Sequence, residues 1–219
     1  MKTNQKTTLI ATIFSVIAAT ASAQDVGDTS VSVGLSTFGI NLEGTYHILP
    51  EWRLRGAVMG GLNYSGTEVD DGTTFNVDSG LSALALMADY YPTNSGWRLS
   101  GGLVFNGSKI DSSATASAAN PIEIDNDTFE TGSINVDANF KKKMSPIITT
   151  GYDYRFQNNW ILSGEIGAIY TGGIDITATS GNATLQAAID DSVDYRDARA
   201  DAADLNFWPY LSVTVGYSF

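Results

Sequence analysis

Cysteine is absent from the 219-residue chain, and histidine occurs once, at His47. Without thiols there is no disulfide scaffold, thiol nucleophile or cysteine-bound zinc, and one imidazole among carboxylates does not make a transition-metal set. Bases are scarce too: 12 Lys and Arg face 24 Asp and Glu, a formal net charge of −12. Neutralising phosphates takes an exposed basic face, so a nucleic-acid partner is excluded. Long apolar runs are missing beyond the N-terminus, and a mean hydropathy near zero is too polar for a helical bundle in lipid. No cofactor is expected.

What is present starts with Lys2 and Lys6, an apolar run from Leu9 to Ala19, and Ala21-Ser22-Ala23. A charged start, a short hydrophobic stretch and a small-x-small end form the pattern of a cleaved secretory signal. The run is about half the roughly 20 residues a membrane-spanning helix needs. The expected organisation is a signal peptide at 1–23 followed by one domain at 24–219.

Beyond it, apolar residues recur with period two. Phe207, Pro209, Leu211, Val213, Val215, Tyr217 and Phe219 share one parity, and Trp208, Tyr210, Ser212, Thr214 and Ser218 share the other. The same alternation runs from Trp52 to Ser65, from Trp97 to Asn106 and from Trp160 to Thr171. Such segments read as strands long enough to cross a bilayer when tilted. They number eight: 30–36, 39–48, 52–66, 74–91, 97–110, 140–157, 160–177 and 207–219. Two places leave the phase open. Val31, Val33 and Leu35 disagree with Phe38, Ile40 and Leu42, by a tight turn near Ser36-Thr37 or by a bulge. Phe75 and Val77 disagree with Leu84 and Leu86, which leaves the directions of Asp78 and Asp89 undecided.

Connections alternate in length. Leu49-Pro50-Glu51, Pro92 to Gly96 and Gln157-Asn158-Asn159 are short, whereas 66–74, 111–139 and 178–205 are long and polar. Tight turns at one end and long loops at the other characterise outer-membrane barrels. Trp52, Trp97 and Trp160 each open a strand directly after a short turn, where an interfacial aromatic girdle belongs. A water-soluble barrel or sandwich would bury the apolar parity, but the opposite parity carries Glu43, Arg53, Arg55, Arg98, Asp153, Arg155 and Glu165. Ionic residues in such number do not fit a dry core, and they do fit a polar lumen with lipid outside. The terminal Phe219 ends an amphipathic strand as an outer-membrane assembly signal would. The expected fold is all-β: an eight-stranded antiparallel transmembrane barrel with short periplasmic turns, longer extracellular loops and one short helix in the last loop.

The lumen set admits two readings. Guanidinium–carboxylate pairs could plug the interior of so narrow a barrel, or form a constriction that a small charged solute passes by exchanging ion pairs. The long segments hold most of the acid, including Asp125, Asp127, Glu130, Asp190, Asp191 and Asp194, with Arg196 and Arg199 as their only bases. An acidic mouth attracts cations; the alternatives are solubility and divalent bridging to anionic lipid. Within 183–205, Leu185, Ala188, Ile189, Ser192 and Val193 recur at helical spacing. Asp125-Asn126-Asp127 with Glu130 lacks the turn glycine and spacing of a calcium loop, so no metal is assigned there. Lys141-Lys142-Lys143 opens the sixth strand on the outer side, as a solvated run or a contact to lipid phosphates. Catalysis is not expected, because His47 lies beside Leu49-Pro50-Glu51 with no Ser–His–acid arrangement near it.

The stretch 144–172, with Ser145-Pro146, Gly151-Tyr152, Asn158-Asn159-Trp160, Ser163-Gly164-Glu165-Ile166-Gly167-Ala168 and Tyr170-Thr171-Gly172, resembles the carbapenem-susceptibility-associated outer-membrane proteins of the CarO family. The acidic segment before Trp208-Pro209 and Ala88-Asp89 before Pro92 are similar as well. More distantly the chain resembles the W-type and opacity-type small barrels. The resemblance implies an eight-stranded outer-membrane barrel linked to uptake of small amino acids, with Glu165 at a corresponding ionic position. The expectation is therefore a monomer in the cell outer membrane: a narrow channel for small cationic or zwitterionic solutes, in contact with outer-membrane lipid, lipopolysaccharide and the assembly machinery. Its rival is a non-conducting structural or surface-interaction barrel.

Overall fold

The computed structural model describes residues 26–70, 73–93, 95–125 and 127–219, with the Asp70 side chain excluded. The signal-peptide segment 1–23 and Asp71 of the acidic segments lie outside the described residues. In chain order the elements are β1 (Thr29–Ser36), β2 (Gly39–Leu49), β3 (Trp52–Asp70), β4 (Thr73–Tyr90), β5 (Trp97–Asn106), β6 (Lys109–Ala116), β7 (Ile122–Ile124), β8 (Asp127–Phe129), β9 (Gly132–Phe140), β10 (Met144–Arg155), β11 (Trp160–Tyr170), β12 (Ile174–Ser180), α1 (Ala183–Asp191), α2 (Val193–Asp204) and β13 (Phe207–Ser218).

Eight of these strands close an antiparallel barrel among the described residues, in the order β1, β2, β3, β4, β5, β10, β11, β13. Closure comes from β13 returning to β1, with Val31 opposite Tyr217 and Val33 opposite Val215. The barrel is inverted relative to a water-soluble one. On β13, Leu211, Val213 and Val215 are exposed while Ser212 and Thr214 are buried; on β2, Ile40 and Leu42 face out while Asn41 and Glu43 face in. An apolar wall of this extent is stable when its surroundings are apolar too. At the short-turn end, Trp52 lies tilted against Tyr90 at 4.9 Å and Trp160 meets Tyr217 edge-to-face at 5.7 Å. With Trp97 and Phe156, also exposed, they form the aromatic girdle.

The first phase question resolves as a tight turn. Ser36 pairs directly with Gly39, and Thr37 N–H donates to the Leu211 carbonyl. Gly39 adopts φ +107°, and a Cβ there would lie 2.5 Å from the Gly60 carbonyl oxygen, so only glycine closes this corner. The turn swings Phe38 into the barrel mouth, fully buried.

The second question has a different answer. The phase of β4 does not break: Leu84 and Leu86 point outward, and Phe75 points to the opposite side, against a second core. The surroundings change instead, because β3 and β4 run for 19 and 18 residues while β1 has 8. At about 3.3 Å per residue, β3 spans roughly 60 Å and rises well beyond the apolar belt.

The long connections at the outer end are themselves structured. Segments 66–74 and 111–139 are mostly strand: β3, β4, β6, β9 and β12 pair in that order as a sheet standing on one side of the barrel. The β7–β8 hairpin, α1 and α2 complete a lobe around Ala114, Ile122, Ile134, Ala178, Leu185 and Ile189. The expected seventh strand, 160–177, is two strands, β11 and β12, and the expected fifth, 97–110, runs past β5 into β6; the sixth is β10 alone, with the lysine run as the connection from β9. The single helix expected over 183–205 is two. Ser192 ends α1 by donating its N–H to the Ala188 and Ile189 carbonyls, and starts α2 by accepting from Tyr195 N–H through its hydroxyl.

Candidate functional site

Each wall strand sends alternate side chains inward, so the short-turn ends of β2, β3, β4, β5, β10 and β11 deliver charged residues to the same height. In the lower tier, Arg53 donates from Nε to His47 Nε2 and from Nη1 to the Tyr91 hydroxyl at 2.9 Å. Tyr91 donates to Asp153 Oδ2 at 2.5 Å, and Ser163 donates to Asp153 Oδ1 at 2.8 Å. The Arg53 guanidinium also lies 3.7 Å above the Tyr91 ring.

One step higher sits Arg55. Its Nη1 and Nη2 meet Glu165 Oε2 and Oε1 at 2.6 and 2.7 Å, a two-pronged pair. Nη2 also reaches Asp89 at 3.0 Å, and Nη1 reaches Glu43 at 3.3 Å. Arg98 approaches Glu165 at 3.0 Å, and Asp89 and Asp153 at 3.7 Å each. Thr149 donates to Glu165, and Asn41 donates to Glu43 at 2.6 Å.

Above the ions the lumen is apolar. Phe38, Met59, Val104, Ile147, Ile169 and Tyr210 form the centre of one cluster, with Trp208 against it. Two layers of different chemistry thus fill the same bore. An open aqueous path would leave inward side chains wetted, yet Arg55 and Glu165 side chains are each 1% exposed, and Phe38 and Val104 are 0%. An eight-stranded barrel is only wide enough for its own side chains to fill.

All seven residues expected in the lumen are at the short-turn half, and six of them join one network. Arg155 closes β10 at the edge, half-buried and close enough to Asp153, Arg53 and Asp28 to interact electrostatically. Asp89, whose direction the sequence left undecided, is fully buried and touches both Arg55 and Arg98. Its signal was the parity of Ala83, Ala85 and Met87, which face inward with it. With Asp89 included, four carboxylates (Glu43, Asp89, Asp153, Glu165) face four guanidiniums (Arg53, Arg55, Arg98, Arg155), so the interior is formally balanced. Tyr91, Thr149, Asn41 and Ser163 were missed, because neutral polar residues on a strand carry no signal until their partners are known. His47 is buried, and its Nε2 is occupied by Arg53 rather than turned toward a nucleophile.

The acidic residues lie on the lobe. Asp125, Asp127, Glu130, Asp190, Asp191 and Asp194 are all exposed. Ser192 donates to Asp125 Oδ1 at 3.2 Å, which draws Asp125 toward the Asp191 to Asp194 junction, whereas Asp127 and Glu130 stay on the hairpin. Phe219 is exposed beside Tyr217, its backbone N–H bonded to the Thr29 carbonyl at 2.9 Å.

An inverted, closed eight-stranded barrel with an ionic lumen defines the fold class of small outer-membrane barrels. The particular folds it resembles are those of CarO2 and CarO from Acinetobacter baumannii. The first aligns with a TM-score of 0.60 at 20% identity, covering 90% of this chain and 100% of that one. The second gives 0.57 at 20% identity, over 89% and 97%. No family model matches the chain, and no curated protein matches it.

Proposed function

We propose that the protein is a bacterial outer-membrane barrel that is closed at rest and holds a structured lobe at the cell surface, not an open channel. The observation that carries this reading is the doubly filled lumen, an ion-paired layer under an apolar one, both buried. The apolar outer wall and aromatic girdle support the membrane placement, as does the fold shared with the Acinetobacter proteins. Mature protein that stays soluble without detergent would overturn it.

A second reading, a gated passage for small zwitterionic or cationic solutes, draws support from Asn41 Oδ1 and Ser100 Oγ. These inward polar atoms lack hydrogen-bond partners among the described residues and could engage a solute. Planar-bilayer recording and liposome swelling separate the two. Flux no greater than through protein-free membranes fits the closed barrel; solute-selective conductance replaces it with the gated passage.

A further inference from the structure

Acid outnumbers base two to one in this chain, yet the exterior bases are not scattered among the acids. Among the described residues every Lys and Arg outside the lumen set, namely Lys109, Lys141, Lys142, Lys143, Arg196 and Arg199, gathers on one side where the barrel meets the lobe. The backbone fixes this placement. Lys141 and Lys142 donate their N–H groups to the Gly173 and Thr171 carbonyls at 3.0 and 3.1 Å, and the Lys143 carbonyl accepts from Asn106 at 2.7 Å. The lysine connection is therefore held on both flanks.

Two clefts adjoin it. One, of about 290 Å³, is lined by Lys141, Arg196 and Arg199, with Asp175 as its single acid. The other, of about 400 Å³, is lined by Lys109, Lys143, Asn106, Ser108 and Asn139. Among the described residues none of these cations has a carboxylate within ion-pair distance, although Lys109 feels Asp137 at longer range, whereas the lumen arginines Arg53, Arg55 and Arg98 are all paired. Arg196 is oriented by donating to the Ser192 and Asp191 carbonyls at 3.2 Å each. A solubility role would spread cations among the surplus acids, where attraction is available. Gathering them unpaired creates a local positive field that an anion relieves.

The clefts sit at the upper edge of the lipid-facing wall. Phe105 and Met144 pair across β5 and β10 and are exposed below them, and Tyr170 packs on Phe207 at 5.4 Å. Lys142 Nζ lies 4.3 Å over the Tyr170 ring, so cation meets apolar wall at this level. A ligand that fits both parts has phosphate on one side and acyl chain on the other.

We propose that these two clefts bind the phosphate groups of an anionic glycolipid of the outer leaflet, whose acyl chains lie along the wall from Tyr170 to Phe105. The inference rests on the membrane placement proposed above, not on conduction. A barrel that passes nothing still binds, so conductance and lipid binding fail separately.

The test uses the full mature chain folded in neutral detergent micelles, with folding checked by heat-modifiable gel mobility. Native mass spectrometry reads binding of bisphosphorylated lipid A, its dephosphorylated form and inorganic phosphate. Binding of the phosphorylated lipid alone is expected, weakened about tenfold or more by Lys141→Gln/Arg196→Gln/Arg199→Gln and by Lys109→Gln/Lys143→Gln, and retained when the lysines become arginine. Equal binding of the dephosphorylated lipid, or unchanged affinity in the folded Gln variants, overturns the proposal. Inorganic phosphate binding as tightly as the lipid overturns the lipid assignment.

Discussion

Arg55 and Glu165 join opposite walls of the barrel through two short hydrogen bonds, 2.6 and 2.7 Å, although they are 110 residues apart in sequence. Arg55 belongs to β3 and Glu165 to β11, four strands apart around an eight-strand circle, so the pair spans the bore. Arg55 also pairs with Glu43 and Asp89 and Glu165 with Arg98, while Arg98 extends the network to Asp89 and Asp153.

Glu165→Gln leaves Arg55 and Arg98 buried with too little negative charge. Removing one partner from a buried ion pair costs about 3–5 kcal/mol, because the remaining charge stays desolvated. Urea unfolding in lipid vesicles, read by tryptophan fluorescence, is expected to show that loss. An unchanged midpoint would mean that the strut contributes nothing, and an unchanged current–voltage curve would remove Glu165 from any solute path.

The two filled layers close the lumen independently. Tyr210→Ala empties part of the upper layer, is expected to destabilise the barrel by about 3–5 kcal/mol, and leaves liposome swelling absent because the ions below still block the bore. Combining it with Arg55→Ala and Glu165→Ala removes the strut as a matched pair and is expected to admit small solutes. Swelling with Tyr210→Ala alone would make the ionic layer leaky.

On the lobe, Asp111 pairs in register with Asp78 on one side and Asp137 on the other. The hydrogen bond between Asp111 and Asp137 holds the exposed Asp137 carboxyl above its usual range, with slight desolvation and repulsion from Asp111 acting in the same direction and Lys109 opposing them. A raised native pKa favours the protonated form. This contribution to stability is complete below the ordinary carboxylate pKa and disappears as pH rises through the raised one. Asp137→Asn is expected to remove the dependence and to raise lobe stability at neutral pH, where directly opposed like charges repel. Circular-dichroism melts on either side of the carboxylate range would reveal it; identical profiles for both proteins would count against the raised Asp137 carboxyl.

Asn182 caps α1 by accepting from the Thr184 and Leu185 N–H groups at 3.0 and 3.4 Å. Asn182→Ala is expected to cost about 1 kcal/mol, confined to the lobe. Limited proteolysis should then cut near α1 sooner while the barrel keeps its heat-modifiable mobility; loss of that mobility would show that lobe and barrel fold as one unit.

Period-two alternation, the three tryptophans after short turns and the inward parity of Glu43, Arg53, Arg55, Arg98, Asp153 and Glu165 determined the barrel, its strand number and the content of its lower lumen. These features are local: a strand's two faces are written in alternate residues, and each must match its surroundings. Where the surroundings changed along one strand, as on β4 beyond the belt, the same rule became ambiguous. The lobe hid behind polar sequence because its core is assembled from isolated residues such as Ile122, Ile134 and Leu185, contributed by different segments. Only the closed tertiary structure decided that Asp89 completes the ionic set, that Phe38 caps it, and that Arg55 reaches Glu165. Those contacts depend on which strands stand opposite each other and how wide the bore is, and both follow from closing the sheet through β1 and β13.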